Sequence, residues 1–170
     1  MSYPVKIVVM SDTHIKTATE EFRFVCSRYC EDADMVIHLG DWDRVEVLTY
    51  LERYPLEAVS GNMDDYSIKQ RLPAQKVVKV GRFRLGIAHG WGPPAGIRKR
   101  VSGQFDQVDA ILFGHTHEPI MARESGVLWF NPGSVFHGRG NCPGSLGLLK
   151  ITDGIEGEII EIDGFTGPHA

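Results

Sequence analysis

The chain has 170 residues, of which 42% are hydrophobic and 24% charged, and a formal net charge of −4. That length predicts one domain, residues 1–170, burying about two-thirds of the surface its unfolded chain would expose. The balance excludes a disordered, collagen-like or coiled-coil chain, no apolar run nears the roughly 20 residues of a membrane-spanning helix, and the scattered Lys and Arg offer no basic face for bulk nucleic acid or an anionic membrane.

Val5–Met10 is a continuous Val/Ile-rich run, which predicts a buried strand ending at the polar cluster Ser11-Asp12-Thr13-His14. Lys6 interrupts this run, which is too short for the apolar segment of a signal peptide. Glu20–Cys30 carries Phe22, Val25, Cys26 and Tyr29 at helical spacing. Met35–Leu39 predicts a second strand, Arg44–Arg53 a second helix with Val47, Leu48 and Leu51 inward, and Leu56–Ser60 a third strand. Strand–helix–strand–helix–strand order implies a parallel sheet.

The texture then changes. Lys76–Val80 and Phe83–Ala88 flank Gly81-Arg82 as a hairpin, followed by a Pro/Gly-rich loop, Gly90–Gly96, and a short basic helix, Ile97–Ser102. Ala110–Phe113 is another buried strand, and Val127–Phe130, Ser145–Ile151 and Ile155–Ile162 are expected to close the chain as an antiparallel meander turning at Asp153-Gly154. The expected class is α/β, with two mixed sheets packed together and helices outside.

The cysteines Cys26, Cys30 and Cys142 are odd in number and cannot all pair within one chain. They imply a reducing, cytoplasmic compartment. Cys26 and Cys30, four apart on a helix, are read as ordinary thiols, because no second cluster accompanies them.

Nearly every strand ends in a residue able to bind metal: Asp12 and His14, Asp41, Asn62, His89, then His115 and His117. In open α/β sheets such ends converge outside the carboxyl edge. Seven oxygen and nitrogen donors with no Cys exceed the four of a structural zinc site. They suit two divalent ions, which can share a carboxylate and clamp both oxygens of an in-line phosphoryl displacement. The donors fit manganese, iron, nickel or zinc.

In order and placement, Asp12-x-His14, Gly40-Asp41, Gly61-Asn62-x-Asp64, His89-Gly90 and Gly114-His115-x-His117 resemble the calcineurin-like metallophosphoesterase superfamily. Asn131-Pro132-Gly133-Ser134 is similar to the closing motif of its small prokaryotic phosphodiesterase branch. The resemblance implies a four-layer α/β/β/α sandwich. It implies a first ion on Asp12, His14 and His117, a second on Asn62, His89 and His115, and Asp41 bridging them. A hydroxide between two ions, manganese first among the choices, would attack a small phosphodiester. Asp41, Asn62, His89 and His115 would be the residues closest to catalysis. A phosphomonoesterase, a nucleotide pyrophosphatase and a binding scaffold, like the retromer subunit that shares the fold, are the rival readings. A homodimer is expected only from the commonness of such assemblies.

Met63 stands where phosphatases of the superfamily carry a proton-donating His, and a thioether donates no proton. Good leaving groups, or another acid such as His137, are therefore expected. Asp64 is read as orienting the loop, Asp43 first as a helix N-cap with support of a ligand as the alternative, and His38 as a core histidine. Trp91 is a candidate wall for an aryl or nucleobase group, and Arg139 a candidate partner for phosphate oxygen.

Overall fold

A computed structural model describes residues 3–136 and 143–162. In chain order the elements are β1 (Val5–Met10), α1 (Glu20–Tyr29), β2 (Met35–His38), α2 (Val45–Leu51), β3 (Leu56–Ala58), α3 (Tyr66–Arg71) and β4 (Gln75–Val80). Then follow β5 (Phe83–Ala88), α4 (Ile97–Ser102), β6 (Ala110–Phe113), β7 (Ile120–Glu124), β8 (Val127–Asn131), β9 (Ser145–Ile151) and β10 (Ile155–Glu161). They form two five-stranded sheets, ordered β10-β9-β1-β2-β3 and β4-β5-β6-β8-β7.

Continuous apolar strands follow from burial on both faces. Ile7 and Val9 point between the sheets, where they meet Ile37, Leu85, Ile87, Leu112 and Phe130. Val8 and Met10 point the other way, onto Phe22 and Val25 of α1 and Val47 and Leu48 of α2. Outside the second sheet, Ile97 and Val101 of α4 cover Ile111, Phe113 and Trp129. The layers are therefore helix, sheet, sheet, helix, as expected. The α1 N-terminus is capped by Thr19, whose side chain accepts from Phe22 N at 3.2 Å, with Glu20 and Glu21 in the first turn.

The expected meander is not a unit. β8 lies in the second sheet, parallel to β6 and antiparallel to β7, while β9 and β10 close the first sheet. Strands β8 and β9, successive in the chain, lie in different sheets, so proximity in sequence does not give the pairing. Two elements escaped the sequence reading. Only Ile68 of α3 is buried, and β7 is an edge strand with no fully buried residue. Neither shows a full apolar period. Among the described residues, no helix is long and apolar enough to cross a membrane.

Candidate metal centre

β1, β2 and β3 run parallel in one sheet, and β5 and β6 in the other, so their carboxyl ends meet along one edge of the sandwich. The loops leaving them are sharply bent. Asp12, His14, Asp41, Asp43, His115 and His117 all have left-handed backbones, with φ of 52, 46, 57, 75, 71 and 58°. Each such residue costs of order 1 kcal/mol, and Asp and His tolerate the conformation better than most. A left-handed residue at every second position turns alternating side chains inward. His115 and His117, which an extended loop would splay apart, both reach the centre.

Both carboxylates are held by one oxygen and present the other. Asp12 Oδ2 accepts from Ser11 Oγ at 2.5 Å and from His115 N at 3.0 Å. Its Oδ1 faces Nε2 of His117 at 3.1 Å, and of His14 and His89 at 3.8 Å each. Asp41 Oδ1 accepts from Met63 N at 2.9 Å, while Oδ2 lies 3.2 Å from His89 Nε2 and 3.6 Å from His14 Nε2. Asp41 thus faces one histidine from each expected ion set.

The imidazoles are oriented in the same way. His89 Nδ1 donates to Leu39 O at 2.7 Å, and His14 Nδ1 meets Asp43 Oδ1 at 2.9 Å, so both aim Nε2 at the centre. A second hydrogen bond that fixes ring and tautomer is the usual support of a metal-binding histidine. His115 Nε2 donates to Gly92 O at 2.8 Å, which turns Nδ1 toward Asn62 Oδ1 at 3.1 Å. The His89 and His115 rings are 5.3 Å apart. All seven expected ligands therefore lie in one continuous cluster. Ligand atoms of Asp12, His14 and His117 fall within 4.8 Å of one another, as do those of Asp12, Asp41 and His89.

The residues fit divalent ions on a physical ground. Among the described residues, Asp12 Oδ1 and His89 Nε2 are buried and have no hydrogen-bond partner. Such orphaned groups are costly unless something else satisfies them. Burial pushes the Asp12 carboxyl up, but the His117 imidazole, His89 and the Ser11 hydroxyl together hold it below its ordinary value. Burial likewise opposes ionisation of Asp41, and His89 with the Met63 N–H outweighs it, leaving the carboxyl lowered. His89 is pulled down by burial and more strongly up by Asp41 and Asp12, so it sits above its usual value. Negative charge is thus retained where cations would sit.

The surrounding residues have definite tasks. Asp64 accepts four backbone N–H groups: Gly61 at 2.6 Å, Asp41 at 3.1 Å, Trp42 at 2.6 Å and Asp43 at 3.0 Å. Burial raises its carboxyl, against the pull of those donors. Asp43 is not the N-cap of α2: Arg44 holds that position, and Asp43 supports His14 instead. A left-handed Asp43 cannot supply the extended backbone of a cap, which corrects the first reading of this residue. His38 is fully buried, stacked on Trp42 with centroids 3.5 Å apart, and accepts from Gly40 N at 3.1 Å. Burial depresses its pKa to about 3.

Asn131 donates to Gly114 O and Thr116 Oγ1 at 3.0 and 3.1 Å and accepts from Gly133 N, while Ser134 Oγ donates to Asp12 O at 2.7 Å. Sequence reasoning gave no support role to Ser11, Thr116 or Ser134; hydroxyls adjacent to ligand motifs were the available signal. Met63 and Trp91 are exposed beside Asn62 and His89. His137 and Arg139 lie outside the described residues.

A family model for the calcineurin-like phosphoesterase superfamily domain matches residues 5–154. The chain belongs to the calcineurin-like phosphoesterase superfamily. A probable metallophosphoesterase of Methanothermobacter thermautotrophicus is 32% identical over 91% of each chain. Phosphodiesterase YfcE of Escherichia coli is 35% identical over 54% of this chain and 50% of its own. Among solved structures, a predicted phosphoesterase of Streptococcus pneumoniae has a TM-score of 0.75 at 25% identity, covering 95% of this chain and 91% of its own. Zinc-complexed Vps29 of Entamoeba histolytica, at 22% identity and a TM-score of 0.71 over 92% of this chain and 99% of its own, shares the fold. Membership makes the chain one of the metallophosphoesterases, with Asp12, His14, Asp41, His89 and His117 as candidate metal ligands.

Proposed function

We propose that this chain is a dinuclear metal-dependent phosphodiesterase acting on small phosphodiesters. The supporting observation is that two carboxylates, each tied down by one oxygen, turn their other oxygens onto imidazole Nε2 atoms held from behind. Asp12, His14 and His117 would hold one ion, Asn62, His89 and His115 the other, with Asp41 facing both. Mixed carboxylate, imidazole and amide donors favour manganese over a thiolate-bound metal. When bound, the ions supply a water of lowered pKa and neutralise charge on the phosphoryl oxygens.

The chain's own residues set what else happens. Met63 offers no proton to a leaving group. Asp64, one residue on, has both oxygens engaged by backbone N–H groups and serves the loop. This combination supports esters whose leaving groups depart unprotonated, such as aryl diesters. The likeness to an enzyme named a phosphodiesterase supports a diester over a monoester. The test compares bis(p-nitrophenyl) phosphate with p-nitrophenyl phosphate after chelation and manganese addition, alongside Asp41→Asn. Metal-dependent diester turnover, lost in the variant, is expected. Turnover of the monoester alone moves the reading to a phosphomonoesterase. Metal binding without turnover of either ester moves it to a binding scaffold.

A further inference from the structure

Beside the Asn62–His89 end of the centre lies a groove of about 450 Å³, lined among others by Asn62, Lys69, Pro73, His89, Trp91 and Gln104. Trp91 has 44% of its surface exposed, in contrast to Trp42 at 0% and Trp129 at 8%. An indole left in solvent on a mobile loop would carry little meaning, but this loop is clamped. The Arg100 guanidinium donates from Nε to Trp91 O at 2.8 Å, from Nη1 to Ala95 O at 3.0 Å and from Nη2 to Pro93 O. Gly92 O, between them, is taken by His115 Nε2 at 2.8 Å. The Trp91 backbone is therefore fixed to α4 on one side and to the metal centre on the other.

Two further features face the same groove. Lys69 lies at its edge, its Nζ 3.1 Å from Asn62 O, and supplies positive charge beside an anionic ester. Gln104 lines it as well. A flat apolar wall and a cation at the rim suit a planar aromatic ring attached to phosphate. Stacking on an aromatic side chain contributes about 1–3 kcal/mol per base and tolerates any base.

Resting on the phosphodiesterase reading, we infer that this groove is a subsite for a planar aromatic substituent of the diester, of the nucleobase class, with Trp91 as its stacking wall. A diester keeps one substituent on phosphorus as the other departs, and this groove receives the one that stays.

The test uses two p-nitrophenyl diesters with the same leaving group: the p-nitrophenyl ester of thymidine 5′-phosphate, and methyl p-nitrophenyl phosphate. The readout is the ratio of their kcat/KM values with manganese. Wild type is expected to favour the thymidine ester by about fivefold or more, the low end of stacking energies. Trp91→Ala should bring the ratio toward one, and Trp91→Phe should keep most of it. A purely structural role would lower both rates and leave the ratio standing. A wild-type ratio near one, or a ratio unmoved by Trp91→Ala, overturns the subsite. If neither ester turns over, the phosphodiesterase reading fails and the subsite is read alone, by tryptophan fluorescence of metal-free protein titrated with thymidine 5′-phosphate. Saturable quenching absent from Trp91→Phe supports the subsite, and its absence from wild type overturns it.

Discussion

Replacing Asp64 by Asn separates two roles that the residue's place in the motif leaves open. The carboxylate accepts four N–H groups, two on each oxygen, from Gly61, Asp41, Trp42 and Asp43. It thereby fixes two left-handed residues, Asp41 and Asp43, to the loop that carries Asn62. An amide keeps one accepting oxygen and turns an NH2 group onto two of the donors, so at least two bonds are lost. Each hydrogen bond to a charged group contributes roughly 1.5–3 kcal/mol net. Relief from burying a carboxylate offsets part of that loss, leaving about 2–4 kcal/mol, which for a chain of this size lowers Tm by roughly 5–15 °C. The assay is thermal unfolding of metal-free protein, with manganese titration beside it. Asp64→Asn should melt earlier and bind manganese more weakly, because Asp41 is no longer held. An unchanged Tm and metal affinity, with turnover lost only for substrates with poor leaving groups, would refute the loop role and make Asp64 the proton donor.

Three other expectations follow from the same geometry. A methyl group at Gly61 would overlap the Asp41 carboxylate and backbone N, so Gly61→Ala should lose metal binding and with it most turnover, read by bound-metal analysis. Arg100→Ala removes the guanidinium from three carbonyls of the Trp91 loop, and should cost about 1–3 kcal/mol in denaturant unfolding while weakening manganese binding through His115. His38 is held neutral with a pKa of about 3. The unfolded chain takes that proton near pH 6.5 and the folded chain does not, so stability falls as pH drops below 6.5, by about 1.4 kcal/mol per pH unit. Unfolding of metal-free wild type and His38→Gln between pH 7 and 5 should show a flatter acid limb in the variant, and parallel limbs would refute this.

Much of the site was legible because strand ends are legible. Each apolar run, Val5–Met10 and Met35–His38 among them, stops abruptly at a polar residue, and a parallel sheet brings such stops to one edge. The sandwich followed from strands too continuously apolar to face water on either side. What stayed hidden depends on distance in the chain. Nothing local says that Val127–Asn131 pairs with β6 instead of β9, since the pairing joins strands that are not successive in the chain. Arg100 reads as one of three basic residues on a short helix, and its hold on the Trp91 loop exists only when the loop folds back over α4. Asp43 reads as a helix cap because Asp commonly fills that position; its left-handed backbone, set by the bond of Asp64 to its N–H, turns it to His14 instead.

The most direct test of the proposed two-ion centre is the rate of bis(p-nitrophenyl) phosphate hydrolysis as manganese is titrated into chelator-stripped protein at a concentration well above the metal dissociation constant. A rate that climbs to a plateau at two equivalents per chain is the expected result. A plateau at one equivalent would contradict a two-ion centre, and no hydrolysis at any loading with manganese, nickel, iron or zinc would contradict the phosphodiesterase itself.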